Sequence, residues 1–407
     1  MTHRMRKRRL LPVLAFCSFL VGFDAIATVP LLPSISASTD MPLESGGLLY
    51  AGYAAAYALT APVMGYLSDR LTRKGILLTG LLLFGAATAL VGTGETFAAL
   101  LLFRALTGIG AGMIEEPVVY AVAGDHYAYE ARGRVMGIIT AALIASSVVG
   151  VPLAGAISEA SSWRWTFRSI AVLATLALAA AIAAVPARRP ERPPGEQTGE
   201  RTPFRLVVSN PTVFLSLLVS FLYYGALQGM FALAGVFYHT HYGLEAGGTG
   251  LVLLAAGISS VAGSLLGGKW ADRWLKRRVV AAAGAAAGVF VFLLGLLAHN
   301  LWLSVLLHVL WAAFYAAGQS AFTALVSELD PRSRGTVLSF NSSAMYIGAS
   351  AMSALAAALL EAGPFWTIGL MCGLADLLVA AIVLSAVRER GAAGRRVSGG
   401  LPRDGRF

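Results

Sequence analysis

The sequence is poor in charge, and poorer in acid than in base. Charged residues make up 13% of its 407 positions, against about 25% in an ordinary soluble domain. That shortage excludes a soluble enzyme and a disordered chain, both of which need a solvated surface. Cysteine is nearly missing: Cys17 and Cys372 are the whole complement. Both lie inside apolar runs at opposite ends of the chain, which excludes a disulfide scaffold and marks them as small core residues. No zinc-ligand spacing or nucleophile–base signature appears, and the glycine-rich stretches follow no predicted strand. Neither an enzyme nor a metal or organic cofactor is therefore expected. What fills the chain is apolar: 57% of residues are hydrophobic and the mean hydropathy is +0.72.

A bilayer-spanning helix needs about 20 mainly apolar residues. Such runs fall near 10–33, 46–67, 75–94, 97–122, 134–158 and 165–186, and again near 211–238, 247–268, 279–298, 302–326, 336–360 and 365–387. They are continuous, not alternating, which excludes a β-barrel. The expected fold class is an all-α membrane protein of twelve transmembrane helices in two pseudo-symmetric six-helix bundles.

The net charge of +10 has two possible meanings, a nucleic-acid footprint or a topology label. Position decides. The cations sit in the N-terminal tail, around Arg70–Lys74, at Arg132 and Arg134, in 188–205, around Lys269–Arg278, at Arg332 and Arg334, and in the C-terminal tail. With twelve spans, 28 of the 31 lie on one side; Arg104, Arg164 and Arg168 are the rest. The positive-inside rule then puts both termini in the cytoplasm of a plasma-membrane protein. No nucleic-acid partner is expected. The lipid bilayer is the partner, with a small-molecule substrate and protons, and a monomer is expected.

The stretch 187–210 breaks the apolar pattern with Pro190, Pro193, Pro194 and Pro203 among charges. It reads as a cytoplasmic linker, because such a segment cannot enter hydrocarbon. The expected units are 1–190, a six-helix bundle, 191–210, the linker, and 211–407, a second bundle with its tail. The halves repeat. Gly65-Tyr-Leu-Ser-Asp69-Arg70-Leu-Thr-Arg73-Lys74 is matched 203 residues later by Gly268-Lys-Trp-Ala-Asp272-Arg273-Trp-Leu-Lys276-Arg277, and Arg132-Gly133 recurs 202 residues on as Arg334-Gly335. Repeats of six spans are a building plan of secondary transporters, with the substrate between the halves.

The loop at Gly65–Lys74 resembles the G-x-x-x-D-R-x-G-R-K signature of the major facilitator superfamily, with Thr72 in place of the second Gly. Arg104-Ala-Leu-Thr-Gly108-Ile-Gly110-Ala-Gly112 resembles its R-x-x-x-G-x-G motif. Gly150-Val-Pro152-Leu-Ala-Gly155 resembles the antiporter motif G-P-x-x-G, with Val151 inserted and Ala154 where a Gly is expected. Trp163-Arg164-Trp165-Thr166-Phe167 resembles a frequent start of span 6. Together they are most similar to the twelve-span drug:proton antiporter branch. The resemblance implies a transporter exporting small amphipathic compounds in exchange for protons; import of a metabolite by symport or facilitation is the alternative. It also implies that Asp69 and Arg73, with Asp125 and the repeat pair Asp272 and Arg273, latch the cytoplasmic side.

Ionisable groups inside spans are expensive, so they should face a partner or a wet cavity. Asp24 and Arg104 lie roughly 14 and 10 Å from the outer ends of their helices at 1.5 Å per residue. They are candidates for an ion pair, with Asp24 either a proton- or substrate-coupling group or a structural partner of Arg104. Glu115 and Glu116 precede Pro117 toward the cytoplasmic mouth, either attracting cations and relaying protons or simply solvated. Asp376, in span 12, is expected to be paired structurally. An offset of 204 maps Asp24, Arg104 and Glu115 onto Gln228, His308 and Gln319, which become candidate cavity residues. Aromatics join them: Tyr50, Tyr53 and Tyr57, Tyr223, Tyr224 and Phe231, Trp311 and Tyr315, and Tyr346. Aromatic walls with few fixed charges suit amphipathic organic molecules.

The topology is open to test. Alkaline phosphatase fused after His299 should be active, and the same reporter fused after Thr198 or at the C-terminus inactive. The reverse pattern would invert the chain in the membrane.

Overall fold

The computed structural model describes residues 3–70, 72–127, 129–186, 210–329 and 334–385. Every regular element among them is helical. The first six helices are α1 (His3–Ala37), α2 (Gly46–Arg70), α3 (Arg73–Val91), α4 (Phe97–Ile114, continued by Tyr120–His126), α5 (Tyr129–Ala145, continued by Val151–Ala160) and α6 (Trp163–Ala184). The second six are α7 (Pro211–Phe231, continued by Ala234–Tyr242), α8 (Ala246–Arg273), α9 (Lys276–Leu296), α10 (Leu301–Leu329), α11 (Arg334–Ala362) and α12 (Trp366–Ser385). Apart from Asn210, the linker expected at 191–210 lies outside the described residues.

Eleven of these helices are long and apolar enough to cross a membrane. The twelfth, α2, has the length, at 25 residues, but carries Tyr50, Tyr53, Tyr57, Pro62 and three glycines by residue 52. Its lower hydropathy has a physical reason. Tyr50, Tyr53 and Tyr57 are all buried inside the protein and do not face lipid.

Local chemistry sets the helix ends. Thr72, Thr96, Ser162 and Asn210 each accept a backbone N–H in the first turn of the helix that follows, satisfying a donor that has no partner within the helix. Thr72 is the residue that departs from the signature loop. Here it caps α3. Helices α4 and α5 each widen into one π-turn, Glu115–Val119 and Ser146–Gly150. Pro117 sits in the first and Pro152 just after the second. Proline has no N–H and its ring clashes with the carbonyl four residues back, so local widening relieves both. α7 breaks around Ala232–Leu233 and closes on Gly243 with φ 65°, a left-handed turn that suits glycine.

Helices in hydrocarbon gain little from burying apolar surface against each other, so close packing holds them. Glycine supplies the close approach. A Cβ on Gly235 of α7 would fall 2.0 Å from the Val29 carbonyl oxygen of α1, and one on Gly348 of α11 2.0 Å from that of Phe221 on α7. On α8, Gly263 and Gly267 press against the Ala313 and Ala317 carbonyls of α10. The two sets of six helices meet through α1–α7, α2–α11 and α5–α8. At the last of these Gly155 backs onto the Ala246 carbonyl. Beside it Glu159 accepts the Gly247 N–H at 2.7 Å, at the start of α8.

Gly235→Leu should therefore lower stability by about 1–3 kcal/mol, the usual penalty for overpacking. Gly137→Leu, where nothing lies within 4 Å of the added carbon, should leave thermal unfolding in detergent unchanged.

Candidate functional site

A polar seam runs through the apolar interior of the first six helices. On α1, Asp24 is fully buried, and its Oδ2 accepts from Arg104 Nη1 of α4 at 2.7 Å. Its Oδ1 accepts from the Thr88 hydroxyl of α3 at 3.2 Å. Arg104 is equally buried, and its Nε and Nη2 have no acceptor among the described residues. Its guanidinium lies over the Tyr53 ring of α2, 4.6 Å from the centroid. A cation over a desolvated aromatic face is attracted by the ring quadrupole.

Backbone packing puts Arg104 there. Gly108 sits where a Cβ would strike the Tyr53 carbonyl at 2.2 Å, and Gly112 backs onto Tyr57. Gly110 presses against Phe84 of α3. The glycines of the Arg104 motif thus clamp α4 between α2 and α3, and the guanidinium lands between Asp24 and Tyr53.

Eleven residues farther along α4, Glu115 is also buried, and its Oε1 accepts from the Ser18 hydroxyl of α1 at 2.5 Å. Ser18 and Asp24 are separated by about 9 Å of helix rise. The α1–α4 interface therefore holds two buried acids at different depths. The side chain of Glu116 lies outside the described residues.

A second cluster joins the two sets of helices. Gln228 of α7 donates from Nε2 to the Tyr50 hydroxyl of α2, and to that of Tyr224 at 3.0 Å. Tyr57 stacks on Tyr346 of α11 with centroids 3.9 Å apart, and Tyr224 meets Tyr346 edge-on at 5.8 Å. Phe231 packs partly buried against the core nearby on α7.

The remaining candidates on α10 gather elsewhere. His308 Nδ1 lies 3.1 Å from the Tyr238 hydroxyl, with its ring stacked on Tyr238 and tilted against Trp311. The indole N–H of Trp311 is buried without an acceptor among the described residues. Tyr315 donates to Gln319 Oε1 at 3.4 Å, and its carbonyl accepts from the Tyr223 hydroxyl at 2.9 Å. The repeat relation therefore does not extend to contacts. Asp24 meets Arg104, whereas their counterparts Gln228 and His308 each bond to other residues.

Of the residues expected to latch the cytoplasmic side, Arg73 pairs with Asp125 at 2.8 Å. Gly65, Asp69 and Arg70 belong to the last turns of α2, and Asp272 to α8, but their side chains lie outside the described residues. Arg273 is exposed at the end of α8. In the antiporter motif, Gly150 accommodates the Phe23 ring of α1, Pro152 lies beside Gly250 of α8, and Gly155 contacts Ala246. The motif packs α5 against α1 and α8.

Sequence reasoning missed Ser18 and Thr88, single hydroxyls in apolar runs with no signal to separate them from packing residues. It also expected a partner for Asp376. The side chain is 1% exposed, and neither carboxyl oxygen has a hydrogen bond among the described residues. Its neighbours on α9 are the backbone positions Gly284 and Gly288, which offer no donor. Helix α12 packs closely on α9 because those residues are small, and the hydroxyls of Tyr223 and Tyr315, which the carboxyl influences electrostatically, donate to the Tyr315 carbonyl and to Gln319 instead.

These two acids should behave oppositely. Asp24→Leu strands a buried guanidinium and should destabilise the protein by about 3–5 kcal/mol. Asp376→Leu removes an unmatched polar group and should unfold at or above the parental temperature.

Comparison with known proteins places this geometry. A model described as Major Facilitator Superfamily matches residues 14–273 and 238–402. The uncharacterized MFS-type transporter YceJ of Bacillus subtilis is 28% identical over 343 residues, covering 83% of this chain and 86% of its own. Multidrug resistance protein 3 of the same organism is 37% identical, over 29% of this chain and 23% of its own. The crystal structure of a D-xylose-proton symporter superposes with a TM-score of 0.76 at 16% identity, covering 94% of this chain and 98% of the other. A bacterial homolog of the human lysosomal transporter Spinster, inward-facing and unoccupied, gives 0.70 at 17% identity over 95% and 96%. At such identities the structural likeness speaks for the fold alone.

Proposed function

The chain belongs to the major facilitator superfamily, and from that premise we propose that it exports small amphipathic organic compounds in exchange for protons. As a member it is a multi-pass membrane transporter of small molecules and not an enzyme.

The observation that carries the reading is the buried Asp24–Arg104 pair, set in a seam that continues to Ser18 and Glu115. Charges at this depth are expensive and mark ion or proton pathways. Protonation of Asp24 cancels one charge of the pair and leaves Arg104 with the Tyr53 face as its remaining described contact. That is a large change in interaction energy at an interface of α1, α2, α3 and α4. A ligand shifts a conformational equilibrium only through such a difference between states. On this reading Glu115, buried against Ser18, passes protons between Asp24 and the basic face, which the positive-inside rule makes cytoplasmic.

The aromatic cluster of Tyr57, Tyr224, Gln228 and Tyr346 spans both sets of helices. It would be remade as the two halves rock, which makes it the natural place for a substrate to couple to that motion. Stacked phenols and one carboxamide favour a flat, weakly polar molecule over a sugar or small anion. The antiporter-like motif on α5 and the multidrug-named relative, matched over part of the chain, support export.

In proteoliposomes, an imposed proton gradient should drive dye movement against its own gradient. Asp24→Asn should lose gradient-driven movement at least about tenfold while still equilibrating the dye. Unchanged pH dependence in that variant would remove Asp24 from the mechanism. In a pump-deficient host the transporter should lower dye accumulation; raised accumulation would mean import.

A further inference from the structure

The junction of α8 and α9, from the last turn of one to the first turn of the other, holds more than the repeat requires. In register with the first half, Trp270, Trp274 and Arg278 replace Leu67, Leu71 and Gly75. Five cations, Lys269, Arg273, Lys276, Arg277 and Arg278, crowd around the single acid Asp272. A topology label needs the positive charge. It needs neither the two tryptophans nor the extra arginine, and the first-half sequence has none of the three at the matched positions.

The structure shows what these additions build. Helices α8 and α9 both pack along α10 but touch each other only sparsely. Gly263 and Gly267 seat α8 on the backbone of α10, and α9 diverges from it. Between them opens a cleft of about 630 Å³. Arg273 and Arg278 stand at its mouth, both exposed, and neither makes an ion pair with a described residue. Trp270 and Trp274 line it as a stacked pair, centroids 6.2 Å apart and planes at 18°. Val279 and Phe314 close its apolar inner end.

We propose that this cleft binds the headgroup and upper acyl chain of an anionic phospholipid from the leaflet on the basic face. Basic pockets between helices on that side suit phosphodiester headgroups, and arginine matches phosphate oxygens with a planar fork of donors. Trp274, 62% exposed, has the amphipathic ring that settles at headgroup level. The apolar inner end suits an acyl chain and gives a soluble phosphate nothing to bury. Leu265 and Leu266 on the adjoining stretch of α8 are exposed, so the cleft is continuous with a lipid-facing surface. A lipid held there would bridge α8 and α9, which touch each other only sparsely beyond the short turn at Trp274–Leu275.

The full chain in detergent, titrated with phosphatidylglycerol, phosphatidylcholine or inorganic phosphate and read by native mass spectrometry and thermal unfolding, tests this. Phosphatidylglycerol should bind and raise the unfolding temperature, phosphatidylcholine should bind far less, and phosphate should not compete. Arg273→Gln and Arg278→Gln should each weaken retention about fivefold, whereas Lys269→Gln, at the same junction but outside the cleft, should leave it near the parental value. Ala282→Trp, which fills the inner wall without touching charge, should displace the lipid. Equal binding of the zwitterionic lipid, competition by free phosphate, or equal losses for Lys269→Gln and the two arginine variants would each overturn the proposal. All variants lie on exposed positions, and the unfolding curve of each without lipid checks that it is folded.

Discussion

Backbone-to-backbone contact through glycine is the constraint on which the rest of this structure depends. In a bilayer no hydrophobic gain draws helices together, and each helix has already satisfied its own backbone. What remains is fit. Gly108 on Tyr53, Gly235 on Val29, Gly267 on Ala317 and Gly348 on Phe221 bring helices to distances that any side chain would forbid. The placement of functional groups follows. Arg104 reaches Asp24 because Gly108, one turn along, lets α4 lie against α2. The cleft between α8 and α9 exists because α8 is seated on α10 by its glycines and α9 is not held to α8.

The two halves share a plan and differ in chemistry. The first encloses a charge pair in which Thr88 donates to Asp24 and Tyr53 presents its ring face to Arg104. The second encloses Gln228 bonded to Tyr50 and Tyr224, His308 bonded to Tyr238 and tilted against Trp311, and a carboxyl at Asp376 without a hydrogen bond among the described residues. Duplication preserves helix packing, because packing depends on small residues and spacing. It does not preserve polar networks, because each needs several side chains on different helices at once. The functional asymmetry proposed for proton coupling rests on that difference.

Several features were legible in the sequence because they arise from one residue or one run. The twelve spans follow from apolar length, since hydrocarbon permits little else. The packing glycines Gly108, Gly110 and Gly112 were visible in the Arg104 motif. Asp24 and Arg104 stood out by cost, as charges where charge is rare. Ser18 and Thr88 did not, because a hydroxyl in an apolar run is unremarkable until its neighbour is known. Thr72 read as a departure from a signature; only the geometry of α3 shows it accepting the Gly75 N–H.

The sequence alone determined the number of membrane helices, the six-plus-six repeat and the one-sided distribution of cations. Each is a property of position along the chain, set by hydropathy, length and charge. The tertiary structure decided which groups meet: Asp24 with Arg104 and Thr88, Glu115 with Ser18, Tyr57 with Tyr346, and Asp376 with no donor among the described residues. Those pairings depend on rotations and crossings of helices far apart in sequence. They come from side-chain volumes acting together over several helices, and no single segment of the chain carries that information.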